Sequence, residues 1–313
     1  MSAEPASEPP FMANTRFAPT GEGNDLRLRT AQVTIVGLGL IGGSLALALR
    51  EGKRCRAVHG VARRAETVAE ALQRGAIDAG TTNLAEGLAG ADVAILAAPV
   101  CTILRLIPEV GSLLKPGCVL LDVGSTKRAI MGAMEQLPPQ VQAIGGHPMC
   151  GKETNGLAAA EANLFQGATF VFTPLSRTAQ DTLQLALGLA QAIGARPLVM
   201  EAARHDRLVA AVSHLPYALS IGLMAVAGEM AARDEAVWRL AASGFRDCSR
   251  LAACDVQMMS DILLTNREAL IEMANAMKAQ LDDLTNLVAR GDKEALKNML
   301  SPLQKRRSAM FHL

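Results

Sequence analysis

Apolar residues fall into two regimes along this 313-residue chain. From Gln32 onward, short β-branched runs alternate with longer Ala/Leu stretches. The runs at Gln32–Val36, Ala57–Val61, Val93–Ala97, Cys118–Asp122, Val141–Ile144 and Thr169–Phe172 predict strands. The stretches at Ile41–Arg50, Ala65–Arg74, Thr102–Leu114 and Lys127–Gln136 predict the helices between them. Such alternation predicts an α/β fold, a Rossmann-type doubly wound parallel sheet covered by helices. Beyond about residue 175 the period changes. Thr178–Ile193 reads as a helix and Pro197–Met200 as a last strand. Ala203–Ala232, Glu235–Ala242, an interrupted Asp255–Arg290 and Asp292–Leu303 then read as an all-helical second domain. The expected division is 31–175 for the nucleotide-binding domain and 176–313 for a helical substrate and dimerisation domain.

Residues 1–30 are rich in Pro, Glu, Ala and Asn, with no apolar run after Glu4 and Glu8. They read as a disordered N-terminal extension and not as a secretory signal. Leu208–Gly228 carries no charged residue but holds His214, Pro216 and Tyr217. It reads as a helix buried in a core or a homodimer interface, not as a membrane span. Lys+Arg is 31 and Asp+Glu is 30, and aromatic residues make up 3%. That balance disfavours nucleic acid as a partner. Six scattered cysteines with no Cys-x-x-Cys pair give neither a disulfide framework nor a metal site, so free thiols in a cytoplasmic protein are expected.

The first strand runs directly into Gly37-Leu38-Gly39-Leu40-Ile41-Gly42, a G-x-G-x-x-G that opens a helix. Gly37 permits the tight turn, Gly39 the close approach of a pyrophosphate, and Gly42 the packing of helix on strand. The free N–H groups of that helix start favour the phosphates of a dinucleotide. The second strand ends in Ala62-Arg63-Arg64, where an NAD site usually carries an acidic residue for the ribose hydroxyls. Two guanidinium groups suit a 2′-phosphate, so NADP is expected, with NAD as the alternative.

Ligands in open α/β sheets bind beyond the carboxyl ends of the strands. Three segments lie there: Ala98-Pro99-Val100, which would wall the cofactor; Asp122-Val123-Gly124-Ser125-Thr126-Lys127; and Gly145-Gly146-His147-Pro148-Met149. His147, between flexible glycines and a rigid proline, is the candidate acid/base. The helical half offers His214 and Tyr217 at i,i+3, and Arg246 and Arg250 at i,i+4, a spacing that can aim both arginines at one anion or leave them as a surface pair.

Val36–Ser44, Asp122–Lys127, Gly146–Met149, Ser213–Pro216 and Phe245–Arg250, in register from about residue 31 to past residue 265, resemble the prephenate/arogenate dehydrogenases of tyrosine biosynthesis. The resemblance implies a Rossmann domain plus a helical dimerisation domain. It implies oxidative decarboxylation of a cyclohexadienyl carboxylate with hydride transfer to a nicotinamide. It implies that His147 accepts the ring hydroxyl's proton, that Ser125 orients the hydroxyl or the imidazole, and that Arg250 pairs with a substrate carboxylate. His214, Tyr217 and Arg246 become substrate-binding candidates. Tyr217 and Met259 depart from the family's frequent His and Trp, which leaves the side chain, keto acid or amino acid, open; the NADP reading leans toward the amino acid. No fused regulatory or mutase domain is expected. The rival is a β-hydroxyacid-type dehydrogenase, which would use a lysine in the helical domain, or a non-catalytic nucleotide sensor.

Overall fold

The computed structural model describes residues 22–152 and 154–311. The chain begins with α1 (Glu22–Thr30), β1 (Gln32–Val36), α2 (Leu40–Glu51), β2 (Ala57–Val61), α3 (Ala65–Gln73), β3 (Ala79–Thr81) and α4 (Leu84–Leu88). It continues through β4 (Val93–Leu96), α5 (Val100–Leu113), β5 (Val119–Asp122), α6 (Arg128–Glu135), β6 (Gln142–Pro148), β7 (Thr169–Pro174), α7 (Gln180–Ala192) and β8 (Arg196–Val199). The sheet order is β3-β2-β1-β4-β5-β6-β7-β8. The order reverses between β1 and β4, which opens the crevice at a topological switch point.

Part of the segment expected to be disordered is ordered. Glu22–Thr30 is helical, Leu28 is buried, and Arg27 bonds Asp181 of α7 at 2.9 Å. The rest of that segment, residues 1–21, lies outside the described residues. The sheet runs past the division expected at residue 175 and ends at Val199. It is also not wholly parallel, because β6 pairs antiparallel with β7.

β1 is buried on both faces, as a central parallel strand must be. Val33 and Ile35 join one apolar cluster with Leu45, Leu49 and α7, and Val36 joins a second cluster with Ile103, Ile130 and Met134. Thr34, inside that core, donates its hydroxyl to Gly87 O at 2.9 Å.

The helical half comprises α8 (Ala202–Val209), α9 (Leu215–Ala231), α10 (Ala236–Leu240), α11 (Ser243–Ser249), α12 (Val256–Thr265), α13 (Arg267–Arg290) and α14 (Lys293–Phe311). A π-helical turn, Ala210–His214, joins α8 to α9 where one unbroken helix was expected. Such turns gather at functional sites because they rotate the following side chains out of register. Tyr217, Met259 and Ile262 join the second core cluster, so this half packs on the α5–α6 side of the sheet. The seam is tied by Thr126 to Thr265 (2.8 Å), by Cys101 N to Asp261 (3.1 Å) and by Arg128 to Glu268 (3.0 Å).

Candidate active site

A cleft of about 810 Å³ lies between the two halves, at the carboxyl ends of β1, β4, β5 and β6. The nucleotide end is built by the glycine turn. Gly37 has φ +103, and a Cβ there would meet Ala97 O at 2.3 Å. A Cβ on Gly42 would meet Gly37 O at 1.9 Å, so only glycine lets α2 start this close to β1. At Gly39 a Cβ would meet nothing within 4 Å, which leaves open space at the head of the helix. No side chain caps α2. Open space and uncapped N–H groups together fit a pyrophosphate.

The other end of the cleft is held by buried charge. Lys127 and Asp122 are both fully buried and form a short ion pair. Burial pushes Asp122 up and Lys127 down, and their contact opposes both shifts. Lys127 also donates to Gly146 O at 2.7 Å, and Asp122 accepts from Gly124 N at 2.7 Å. The pair therefore clamps the end of β5 to the residue before His147, with Ser125 set into the cleft between them.

His147 stands at the carboxyl end of its strand, as expected, but β6 runs on past Ile144 and takes it in as the penultimate residue, opposite Val171 of β7. The glycines before it serve packing. A Cβ at Gly145 would meet Thr173 Oγ1 at 2.2 Å, and one at Gly146 would meet Asp122 O at 2.7 Å. His147 Nδ1 lies 2.9 Å from His205 Nε2, and His205 Nδ1 lies 2.8 Å from Asp206 Oδ1. The Asp206 carboxylate also accepts the backbone N–H groups of Lys127 (2.7 Å) and Arg128 (2.9 Å), at the start of α6. Burial first, then neighbouring His205, Lys127 and His214, hold His147 well below its ordinary value. Burial also holds His214 down, to about 4. Both rings are neutral near pH 7. The Cys150 thiol, pushed up to about 11 by burial, lines the same cleft as a protonated group.

The nucleotide-binding domain of prephenate dehydrogenases matches residues 45–199, and their dimerisation domain matches residues 201–302. The chain belongs to the prephenate dehydrogenase family. It is an oxidoreductase, and its prephenate dehydrogenase relatives tie it to tyrosine biosynthesis. It is 34% identical to prephenate dehydrogenase of Lactococcus lactis subsp. cremoris over 282 residues, 89% of this chain and 77% of that protein. Prephenate dehydrogenase of A. aeolicus, solved with hydroxyphenyl propionate and NAD+, superposes with a TM-score of 0.85 at 28% identity, covering 90% of this chain and 98% of that one. Synechocystis arogenate dehydrogenase superposes at 0.77 with 30% identity, covering 89% and 99%.

Most of the residues expected from sequence meet in the cleft of this prephenate dehydrogenase relative. Gly39, Leu40, Ile41, Arg63, Ala98, Pro99 and Val100 line its nucleotide end. Ser125, His147, His214, Tyr217 and Arg250 line the other. Gly37 and Gly42 shape the turn from behind, and Leu38 is buried against Gly60. Ala62 is buried, and Arg64 stands at the start of α3, outside the cleft wall. Arg246 corrects an expectation. The i,i+4 argument needs one continuous helix, but α11 ends at Ser249 and Arg250 begins a 3-10 turn. Arg246 points to solvent beside Asp247 at 3.5 Å, and only Arg250 reaches the cleft.

His205, Asp206 and Asn266 escaped the sequence reading. Their signal was weak but present: His205 and Asp206 sit with Val209 on the one buried face of α8. A His–Asp pair on such a face needs partners across an interface.

Proposed function

We propose that this protein oxidatively decarboxylates prephenate, with NADP as hydride acceptor. One arrangement carries the reading: the His147 imidazole from the sheet and the Arg250 guanidinium from the helical half line one cleft, beside the glycine turn. A bound nicotinamide dinucleotide supplies the hydride acceptor. Gly39 and the first turn of α2 hold its pyrophosphate, and Ala98 and Pro99 wall it. His147 accepts the proton of the ring hydroxyl as carbonyl character develops at that carbon, and Ser125 orients the hydroxyl. When the ring carboxylate leaves as CO2 and the ring becomes aromatic, the oxygen takes the proton back. A neutral, weakly basic imidazole suits that temporary transfer. Arg250 holds a substrate carboxylate.

NADP is chosen over NAD because Arg63 lines the cleft at the end of β2. Assays of prephenate and arogenate, each with NAD and NADP, test the whole reading. NADP should give the lower KM, and Arg63→Ala should raise it by about 10–100-fold, the value of one charge-assisted hydrogen bond, with NAD little affected. A clear NAD preference overturns the cofactor; no turnover of either acid overturns the reaction. Arogenate is the second reading. It rests on Asp255, the one carboxylate among the described cleft residues, which can accept from an ammonium group.

Arg250→Gln should raise the KM for the acid substrate by about 10–30-fold with a smaller change in kcat, since Arg250 is partly open to water in the single chain. A flat KM makes Arg250 structural. The protein acts as a homodimer through its helical domain. Leu219, Ile221, Leu223, Val226 and Met230 of α9 are exposed in the single chain, although Ala202–Ala231 is apolar enough in length and composition to cross a bilayer. The buried positions of that stretch, His205, Asp206, His214, Tyr217 and Ser220 among them, pack within this chain, which leaves the exposed apolar side of α9 for a second copy. The same reading places the protein in the cytoplasm, where thiols stay reduced.

A further inference from the structure

We propose that Asp206 fixes the tautomers of both histidines in the cleft, so that His147 presents a bare Nε2 and His214 a protonated one. The chemical use of this device rests on the reaction proposed above; the hydrogen-bond logic does not.

A neutral imidazole carries one donor nitrogen and one acceptor nitrogen, and a bond made by one determines what the other can do. Asp206 supplies the starting point. Its Oδ1 accepts from Lys127 N and its Oδ2 from Arg128 N. With both oxygens already accepting at a helix N-terminus, the carboxylate is an acceptor toward its third neighbour as well. His205 Nδ1, 2.8 Å away, must therefore donate. With its one ring proton on Nδ1, His205 has a bare Nε2, and that atom lies 2.9 Å from His147 Nδ1. His147 Nδ1 must donate in turn, which strips the proton from its Nε2. The side chain of free histidine favours a proton on Nε2, so this chain of bonds imposes the less common form on His147. It is the form in which a residue at the cleft wall can act as a base.

The second branch starts from the same residue's backbone. Asn266 Nδ2 lies 2.7 Å from Asp206 O and 3.1 Å from His214 Nδ1. A carbonyl oxygen only accepts, so the Asn266 group facing it is the amide nitrogen, which has two protons. Its second proton goes to His214 Nδ1. His214 Nδ1 thus accepts, and its ring proton resides on Nε2. Asn266 is 5% exposed and sits at the break between α12 and α13, where its backbone leaves helical geometry (φ −122). Its side chain is therefore held to these two partners. One residue on α8 sets an acceptor on the sheet side of the cleft and a donor on the helical side. A substrate that offers a hydroxyl proton and an oxygen acceptor meets both.

Histidine ring 15N shifts read this directly, because protonated and bare ring nitrogens resonate far apart. The chain has five histidines, so ring-labelled protein is tractable, with His147→Asn and His214→Gln used for assignment. In the unliganded protein near pH 7, His147 should show a protonated Nδ1 and a bare Nε2, and His214 the reverse. Asn266→Ala should disturb the His214 pattern and leave that of His147 intact. Asp206→Asn should disturb His147 and lower kcat by about 100-fold, with little change in the KM for the nucleotide. His205→Gln, whose side-chain carbonyl can still accept from His147 Nδ1, should retain more turnover than His205→Leu. A proton on His147 Nε2 in the unsubstituted protein overturns the proposal, as does an unchanged His147 pattern in Asp206→Asn. Failure to turn over prephenate would overturn the reaction and leave the ring shifts to be read on their own.

Discussion

Replacing His147 by Asn should lower kcat by about 10²–10⁴-fold, roughly 3–5 kcal/mol of transition-state stabilisation. Asparagine keeps a polar N–H for His205 Nε2 and similar bulk in the sheet, so the fold and the glycine turn are spared. What it loses is an sp² nitrogen able to take a proton and give it back. The KM for the nucleotide should therefore change little, because the pyrophosphate cradle at Gly39 does not depend on the ring. Steady-state kinetics with both substrates varied separate the two effects. Unchanged turnover would remove His147 from the chemistry.

On the proposed mechanism the same residue sets the acid limb of the pH profile. His147 works only when neutral, so activity falls as pH drops through its pKa. Burial and the neighbouring His205, Lys127 and His214 hold that pKa well below 6.5. The limb in kcat/KM, which reports the free enzyme, should accordingly lie on the acid side of 6.5. A limb at or above 6.5 would mean that the ring is more open to water than its packing implies.

The strands of the sheet were legible because parallel strands buried on both faces are rich in Val, Ile and Leu, as Val33–Val36 and Val93–Leu96 are, with only Thr34 and Ala94 interrupting. β3 was not, because Ala79-Gly80-Thr81 is half exposed at the sheet edge and carries no such run. The extension of β6 to Pro148 was hidden for a related reason. Gly145 and Gly146 read as loop residues, yet they are there because Thr173, Met131 and Asp122 press on them. In the site, motif residues could be placed because strand ends and helix starts fix where they lie. The tie from His147 to Asp206 could not. It links residues far apart in sequence through contacts that exist only once the two halves have packed. The i,i+4 pairing of Arg246 and Arg250 failed at the point where a helix tightens into a 3-10 turn, which composition does not signal.

Lys127→Met should cost about 3–5 kcal/mol of stability, the usual result of removing one partner from a buried ion pair. Methionine fills the space of the aliphatic stem, so little of that loss is cavity. The cost arises at Asp122, left fully buried with two backbone N–H groups and no counter-charge. Its pKa, already raised by burial, rises further in the variant. A carboxyl whose folded pKa exceeds its unfolded value, about 3.9, destabilises the fold increasingly as pH rises above that value. The deficit should thus be largest near neutral pH and shrink as the pH falls toward 4, in urea titrations of the two proteins across that range. Adding Asp122→Asn should recover part of it, because a neutral amide still accepts from Gly124 N without a buried charge. Activity should not recover in parallel. Lys127 also holds Gly146 O, the carbonyl next to His147, and neither methionine nor the second substitution replaces that bond. A double variant that regains stability but not turnover would separate the two tasks of this lysine: neutralising Asp122, and fixing the strand end from which His147 reaches the cleft. Equal stability of Lys127→Met and the unsubstituted protein would mean that the pair carries no net weight in the fold.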